Sequence, residues 1–158
     1  MSAACSPRET AERFLRAAVS PDPGDMADCY APAVVIEMPF AVTPLAPPRA
    51  ETTREELRAR FRAGRASRRY TGLQDVVIHE TTDPEVVIVE YALDGEFTAT
   101  AEPFWLRFLM VMTVRDGQSV HTRDYSSPVA GAQVLGRLPE LLAALGGEAS
   151  DAGTRSGT

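Results

Sequence analysis

The chain has 158 residues, of which 44% are apolar and 24% charged, and it carries a formal net charge of -6. This length fits one domain with a sizeable core, and the composition argues against a disordered chain or a membrane protein. The pI near 4.9 argues against nucleic acid as a partner, since proteins that bind phosphate backbones normally carry a basic excess.

Two cysteines, Cys5 and Cys29, are too few for a disulfide framework and lack the spacing of a zinc site. No apolar run reaches the roughly 18 residues of a membrane-spanning helix, and the N-terminus lacks the pattern of a signal peptide. We therefore predict a cytoplasmic protein with no membrane partner. No P-loop, GxGxxG, GxSxG or HExxH motif occurs, so we expect no metal and no cofactor.

The N-terminal half predicts three helices and one strand. Ser6-Pro7-Arg8-Glu9 is a capping box followed by apolar residues at helical spacing, and Thr52 or Thr53 caps the third helix. The predicted elements are a helix over 7–19, a short helix over 25–31, a strand over 34–40 and a helix from the threonine cap to Gly64. Between the strand and the third helix, the proline-rich segment 41–50 has no period, and we expect it to close over the site as a mobile loop.

From Tyr70 onward the pattern has a period of two, which is typical of antiparallel strands. The predicted strands are 74–80, 86–93, one from Phe97 onward, and the two strands of a hairpin over 104–128. A final helix begins at Ser127-Pro128 and is interrupted near Gly136 and Pro139, and the tail 146–158 is predicted to be disordered. Helices packed on one side of a curved antiparallel sheet make an α+β domain over 1–145.

The hairpin turn sets the direction of one acid. A three-residue loop, Arg115-Asp116-Gly117, places Asp124 opposite Phe108 and on the same face as Met110, Met112 and Thr122. A two-residue loop would place Asp124 beside Leu109 and Val111 instead. In either register a carboxylate lies on an apolar face, where its pKa shifts toward the range of a general acid or base. The alternative is a structural ion pair with Arg123, Arg107 or a helix arginine.

The other face of the hairpin is apolar as well, since it carries Leu109, Val111 and Thr113. Helices can cover only one face of the sheet, so the other needs a partner. We therefore predict a homodimer built on that face.

Taken together, the helix, YAPAVVIEMPF, the second helix and a meander ending in VRDG resemble the nuclear-transport-factor-2-like cone. Ketosteroid isomerase, SnoaL-type polyketide cyclases and limonene-epoxide hydrolase share this cone. The chain is most similar to the phenazine-biosynthesis A/B proteins, on the motifs His79-Glu80-Thr81-Thr82-Asp83-Pro84, Val89-Glu90 and Arg123-Asp124-Tyr125-Ser126-Ser127-Pro128. The resemblance implies that Asp124 occupies the position of that family's acid/base glutamate, shortened by one methylene.

The departures from these relatives imply a different chemistry. The positions of the ketosteroid isomerase base and its two hydrogen-bond donors match Met38, Phe14 and Met110. The resemblance therefore implies an apolar pocket, which Met112 would extend, in place of dienol isomerisation. Ser127 stands where SnoaL-type cyclases carry an acid. The arginine and two aspartates of the epoxide hydrolases are incomplete, because the residue two positions after Arg107 is Leu109 and not a second aspartate.

Several further residues have two interpretations. Tyr91 and Trp105 belong either to the core or to a substrate pocket. Glu90 is either a pocket group or a solvated strand residue, and His79 and His121 favour a surface or interface role. The run 54–69, which holds seven arginines, is interpreted as a solvated helix face, with a phosphate or carboxylate site as the alternative.

These observations predict a cofactor-independent enzyme of specialised metabolism that acts on a largely apolar small molecule. Asp124 would transfer one proton in cyclisation, isomerisation or condensation. The predicted substrate-binding residues are Phe14, Met38, Tyr91, Trp105, Phe108, Met110, Met112 and Thr122. One alternative is a non-catalytic carrier with the same cone, and another is an epoxide-opening cyclase or hydrolase.

Overall fold

A computed structural model of the chain describes residues 4–153, with side chains over 4–147. The order of elements confirms the α+β prediction. The helices are α1 (Pro7–Ala18), a 3₁₀ helix (Pro23–Cys29), α2 (Arg54–Gly64), α3 (Pro128–Val134) and α4 (Leu138–Gly153). The strands are β1 (Tyr30–Glu37), β2 (Arg49–Thr53), β3 (Arg68–Glu80), β4 (Val86–Phe97), β5 (Pro103–Arg115) and β6 (Gln118–Asp124). None of the helices in this described part is long and apolar enough to cross a membrane.

The strands form one curved sheet in the order β2-β1-β6-β5-β4-β3. All neighbours are antiparallel except β1 and β6, which run parallel, so the predicted antiparallel sheet contains one parallel pair. β2 lies partly in the segment that was predicted to be a loop. It forms because Ala50 and Thr52 pair with Ile36 and Val34, a tertiary contact that local periodicity does not reveal.

Strand pairing also corrects two boundaries. β3 begins at Arg68 and not at Gln74, because Arg68 pairs with Phe97 at the far end of β4. β1 begins at Tyr30 and not at Val34, and the predicted helix over 25–31 is a 3₁₀ helix that ends at Cys29.

The hairpin turn differs from the prediction in a way that matters for Asp124. Arg115 pairs with Gln118, so the loop has two residues, and the positive φ angles of Asp116 (51°) and Gly117 (73°) are those of a type I′ turn. Val120 is then left out of the ladder as a β-bulge, which shifts the register by one residue. Asp124 therefore lies opposite Met110 and not Phe108, but it keeps the predicted face.

Helix α1 packs across the concave face of the sheet and fixes this hairpin. The hydroxyl of Thr10 and the guanidinium of Arg13 donate to the carbonyl of Gly117, at 3.1 and 2.8 Å. Phe14 and Leu15 on the same helix face are buried in the core. Side chains on the concave face of β4, β5 and β6 complete that core, so the helices and this face enclose the interior.

The opposite side of the sheet, which we call the open face, carries Glu90, Trp105, Arg107 and Val111 and is covered by none of the helices within residues 4–147. At the C-terminal end, the predicted interruption of the last helix is confirmed at Gly136, whose φ is 67°. α4 continues to Gly153, inside the tail 146–158 predicted to be disordered, while residues 154–158 lie outside the described part. Disorder of that tail stays a prediction.

Candidate functional site

The helices and the concave face enclose a cavity of about 800 Å³. α1 contributes Phe14 to its wall, β4 contributes Tyr91, and β5 contributes Phe108 and Met110. Among the residues with described side chains, Asp124 is the single carboxylate in this wall. Because small-ligand sites typically measure about 300 to 1,000 Å³, the cavity has room for a small molecule that would reach Asp124.

Asp124 ends β6 and has a neutral partner. Its Oδ1 atom accepts a hydrogen bond from the backbone N–H of Ser126 at 2.9 Å. No basic side chain within the described range forms an ion pair with it, and Arg107, one of the predicted structural partners, pairs with Asp75 at 2.5 Å. Burial raises the pKa of Asp124, and the hydrogen bonds from Ser126 offset part of that rise. The carboxyl group therefore holds its proton at higher pH than an exposed aspartate does.

Two buried tyrosines lie close enough to sense this charge. Burial raises the pKa of Tyr30 and of Tyr91, and the negative charge of Asp124 raises both further. The Tyr91 hydroxyl donates to the sulfur of Met110 at 3.4 Å, and a thioether is a weak acceptor. Both tyrosines stay protonated, and Tyr91 can give up its weak bond to donate to a ligand.

The aromatic walls hold Tyr91 in place. Its ring stacks on Phe108 with centroids 5.0 Å apart and meets the edge of Phe14 at 6.4 Å. Tyr30 contacts Phe14 at 6.1 Å in a T-shaped arrangement. Such pairs contribute about 0.5 to 1.5 kcal/mol beyond their buried area, so the cavity wall around Asp124 is preorganised.

Six of the nine residues predicted for the site lie together in this cavity. They share the concave face or a helix that covers it, and the β5 members follow the alternation of that strand. They are Phe14, Met38, Tyr91, Phe108, Met110 and Asp124.

Three predicted residues lie elsewhere, each for a physical reason. Met112 has 0% exposure and Thr122 has 2%, so both are on the predicted face but lie beneath the helices, within the core. Thr122 also exchanges a hydrogen bond of 3.0 Å with Ser119. Trp105 is on the open face, where it is 51% exposed and lies 5.3 Å from the guanidinium of Arg107.

Glu90 and the two histidines, which the sequence left with two interpretations, lie outside the cavity. The Oε2 atom of Glu90 lies 2.7 Å from Nε2 of His79, which places Glu90 outside the cavity. His121 faces Glu37 at 3.4 Å, away from Asp124 as the alternation predicts. The arginine and aspartate of an epoxide-hydrolase arrangement do not meet at Asp124, because the Arg107 pair lies on the open face.

Sequence reasoning missed part of the wall. Tyr30 precedes the strand as it was predicted, and Arg68 was assigned to the solvated arginine run. The alternation of β3 puts Arg68 on the same side of the sheet as Tyr70. The alternation did not predict this position because the predicted strand began at Gln74. The seven arginines of the run divide by location. Arg60, Arg65, Arg68 and Arg69 line the cavity, whereas Arg54, Arg58 and Arg62 lie outside it, and the last two pair with Asp28 and Asp22.

The proline-rich loop borders a second, smaller cavity of about 350 Å³. Phe40, Val42 and Leu45 of that loop line it, and Phe40 meets Tyr125 at 5.6 Å. The two cavities share the wall residues Met38, Arg68, Tyr70, Phe108 and Leu135. The loop thus flanks the site, and its opening and closing stay a prediction.

The chain belongs to the SnoaL-like family, since the model of the SnoaL-like domain matches residues 11–122. An uncharacterised PhzA/B-like protein of Pseudomonas aeruginosa is 30% identical over 134 residues, which cover 82% of this chain and 89% of that protein. The resemblance found in the sequence is therefore confirmed.

Solved structures with the same fold are more distant in sequence. A provisionally assigned isomerase of Bacillus subtilis has a TM-score of 0.71 at 22% identity, and the match covers 82% of this chain and 92% of that one. A provisionally assigned polyketide cyclase of Pseudomonas putida has a TM-score of 0.64 at 13% identity, with 84% and 97% covered. These likenesses establish the fold.

Proposed function

We propose that this protein is a cofactor-independent cyclase or isomerase that moves a proton on a largely apolar small molecule. The observation that carries the proposal is the carboxyl group of Asp124, which has no ion-pair partner among the described side chains and lies in the wall of a cavity of about 800 Å³. The family and the names of the two structural neighbours, an isomerase and a polyketide cyclase, agree with it.

In this proposal the ionised Asp124 takes a proton from a carbon next to a carbonyl group. The electron pair of that C–H bond forms an enolate, and the Tyr91 hydroxyl donates a hydrogen bond to its oxygen. Return of the proton to a different carbon completes an isomerisation. Attack of the enolate on a second carbonyl forms a C–C bond and an alkoxide, which takes the proton back from Asp124 and completes a cyclisation. General base help of this kind is worth about 10² to 10⁴ in rate.

The proposal is tested with β-tetralone, an apolar bicyclic ketone whose acidic C–H exchanges slowly in deuterium oxide. We expect the protein to accelerate this exchange, measured by NMR, and Asp124→Asn to reduce the acceleration by about 10² or more. Glu90→Gln is the matched control, because Glu90 bonds His79 on the open face and should leave the rate unchanged. Equal exchange rates for Asp124→Asn and the unmodified protein would refute the proposal.

The finer assignments belong to the same proposal. We infer a homodimer on the open face, supported by the half-buried apolar residues Leu109 and Val111 and the exposed Trp105. Val111→Lys should convert a dimer into a monomer in light scattering at micromolar concentration, and a monomeric unmodified protein would contradict the inference. Specialised metabolism and a cytoplasmic location are also proposed, the latter supported by the free thiols of Cys5 and Cys29.

A further inference from the structure

The wall of the large cavity carries four arginines although the chain as a whole has a charge of -6. Arg60, Arg65, Arg68 and Arg69 all line it, against the one carboxylate of Asp124. Arg69 is neutralised by Glu96, whose carboxylate accepts from its Nε at 3.0 Å. The other three guanidinium groups have no carboxylate within ion-pair distance among the described side chains.

The neighbouring arginines show that these three are a distinct set. Arg58 pairs with Asp28 at 2.7 Å and Arg62 pairs with Asp22 at 2.7 Å, and neither lines the cavity. Arg54, at the start of the run, also lies outside the cavity and donates to the carbonyl of Tyr30 at 2.7 Å. Arg60, Arg65 and Arg68 therefore differ from Arg58 and Arg62 in lining the cavity without an acid partner among the described side chains. Three arginines without an acid partner in one wall concentrate positive charge at the cavity, where it attracts anions.

Arg68 is the best-placed of the three. It is half-buried, it belongs to the walls of both cavities, and its partners are neutral oxygens, the Tyr70 hydroxyl at 3.4 Å and the Ser67 hydroxyl at 3.3 Å. Both hydrogen bonds are long, so an incoming anion could replace them with shorter, charge-assisted ones. The fork of the guanidinium group matches the paired oxygens of a carboxylate or a phosphate.

The basic end is separate from the acid. Arg68 pairs with Phe97, the last residue of β4. Asp124 lies opposite Met110, which in turn lies opposite Val89, near the beginning of β4. The groups that shift the pKa of Asp124 include none of the arginines. One elongated ligand would therefore place its reacting carbon at Asp124 and its charge at Arg68.

We propose that the substrate is an elongated, mostly apolar molecule with an anionic group, a carboxylate or a phosphate, that binds Arg68 with help from Arg60 and Arg65. This inference rests on the proposed function, because it names the substrate class of the same cavity. It also makes part of the arginine run 54–69 a carboxylate or phosphate site, which is the alternative that the sequence offered to a solvated helix face.

The test compares ligands of one shape and different charge by calorimetry at low ionic strength. The probes are para-phenylbenzoate, its neutral analogue para-phenylbenzamide, and para-phenylphenyl phosphate. We expect one of the anions to bind at least about tenfold more tightly than the amide, and added salt to reduce the difference. The tighter of the two anions identifies the group that the site prefers.

Variants then assign the preference. Arg68→Met keeps an apolar stem and should abolish most of the preference, while Arg68→Lys should retain part of it. Arg62→Met is the matched control from the same run and should change nothing, because Arg62 pairs with Asp22 outside the cavity. Equal affinities for all probes, or a preference that survives Arg68→Met combined with Arg60→Met and Arg65→Met, would overturn the inference.

The outcomes separate this inference from the proposed function. If the amide binds and the exchange of β-tetralone still depends on Asp124, but the anions gain nothing, only the anion site is wrong. If the exchange does not depend on Asp124 and the anions nevertheless bind through Arg68, the catalytic proposal fails and a ligand-binding protein remains.

Discussion

The two faces of the sheet treat a carboxylate in opposite ways. On the open face, Glu90 lies 2.7 Å from the ring nitrogen of His79, with 43% of its side chain exposed. On the concave face, Asp124 has a single backbone partner at Ser126 and aromatic neighbours, and burial raises its pKa. The comparison teaches that the face of the sheet, and not the type of acid, decides whether a carboxylate is exposed beside a histidine or buried with a raised pKa.

The same contrast holds for packing. The open face carries exposed ion pairs, such as Arg107 with Asp75 at 2.5 Å and Arg115 with Glu85 at 3.0 Å. Exposed pairs of this kind contribute about 0 to 1 kcal/mol each. The concave face carries the fully buried Met112, Val87 and Val89, so most of the stability attributable to the sheet resides there.

The largest expected effect is on stability. Met112→Ala should lower the free energy of unfolding by about 2 to 4 kcal/mol, because it leaves a void in the core. Val77→Ala, at a residue that pairs with Glu90 on the open face and is 46% exposed, should cost less than about 1 kcal/mol. Urea denaturation of both variants provides the measurement, and similar losses would remove the distinction between the faces.

A second prediction concerns the tyrosine hydroxyl. Tyr91→Phe keeps the ring that stacks on Phe108 but removes the donor, so the exchange of β-tetralone should fall by about tenfold. Tyr125→Phe is the matched control, since Tyr125 contacts Phe40 outside the large cavity. An unchanged rate in Tyr91→Phe would show that another group stabilises the enolate.

A third prediction concerns pH and stability. The native pKa of Asp124 is raised above its unfolded value, so its protonated form stabilises the fold at low pH. This contribution is lost as the pH rises from the ordinary aspartate pKa, about 3.9, through the raised native value. As the pH rises across this window, the unmodified protein should therefore lose stability that Asp124→Asn does not lose, and the difference between their unfolding free energies should shift in favour of the variant.

The control for that pH experiment is Asp75→Asn on the open face. Asp75 has a φ of 51°, a conformation that asparagine tolerates, so the backbone should be undisturbed. If the unfolding free energies of Asp124→Asn and the unmodified protein change with pH in the same way, the Asp124 carboxyl group is solvated and burial does not raise its pKa.

Sequence reasoning predicted the fold well because α1, α2 and α3 each begin at a local capping signal. The capping boxes of Ser6 with Glu9 and of Thr53 with Glu56 both form, and the two helical entries follow from them. The face of Asp124 was also predicted correctly, but through a different loop. The two-residue turn alone would point Asp124 to the opposite face of the sheet. The extra residue of the bulge at Val120 restores the face that a three-residue loop predicts.

The rest of the site depends on contacts between distant segments. The local sequence does not show that Met112 lies under the helices while Met110 reaches the cavity, because both residues are methionines on the same face of β5. Tyr30 and Arg68 were missed because strand pairing extends β1 and β3 beyond their periodic segments. Trp105 was assigned from its size, although the alternation of β5 places it on the open face.

The most direct test of the central claim is the pH dependence of β-tetralone exchange, measured beside a carbon-detected NMR titration of the Asp124 carboxyl group. A base acts in its ionised form, so the rate should rise with pH, and its midpoint should coincide with the NMR midpoint, above the ordinary range for aspartate. Asp124→Asn should abolish that rise. A rate whose pH dependence is the same in Asp124→Asn as in the unmodified protein would contradict the assignment of Asp124 as the proton-transfer group.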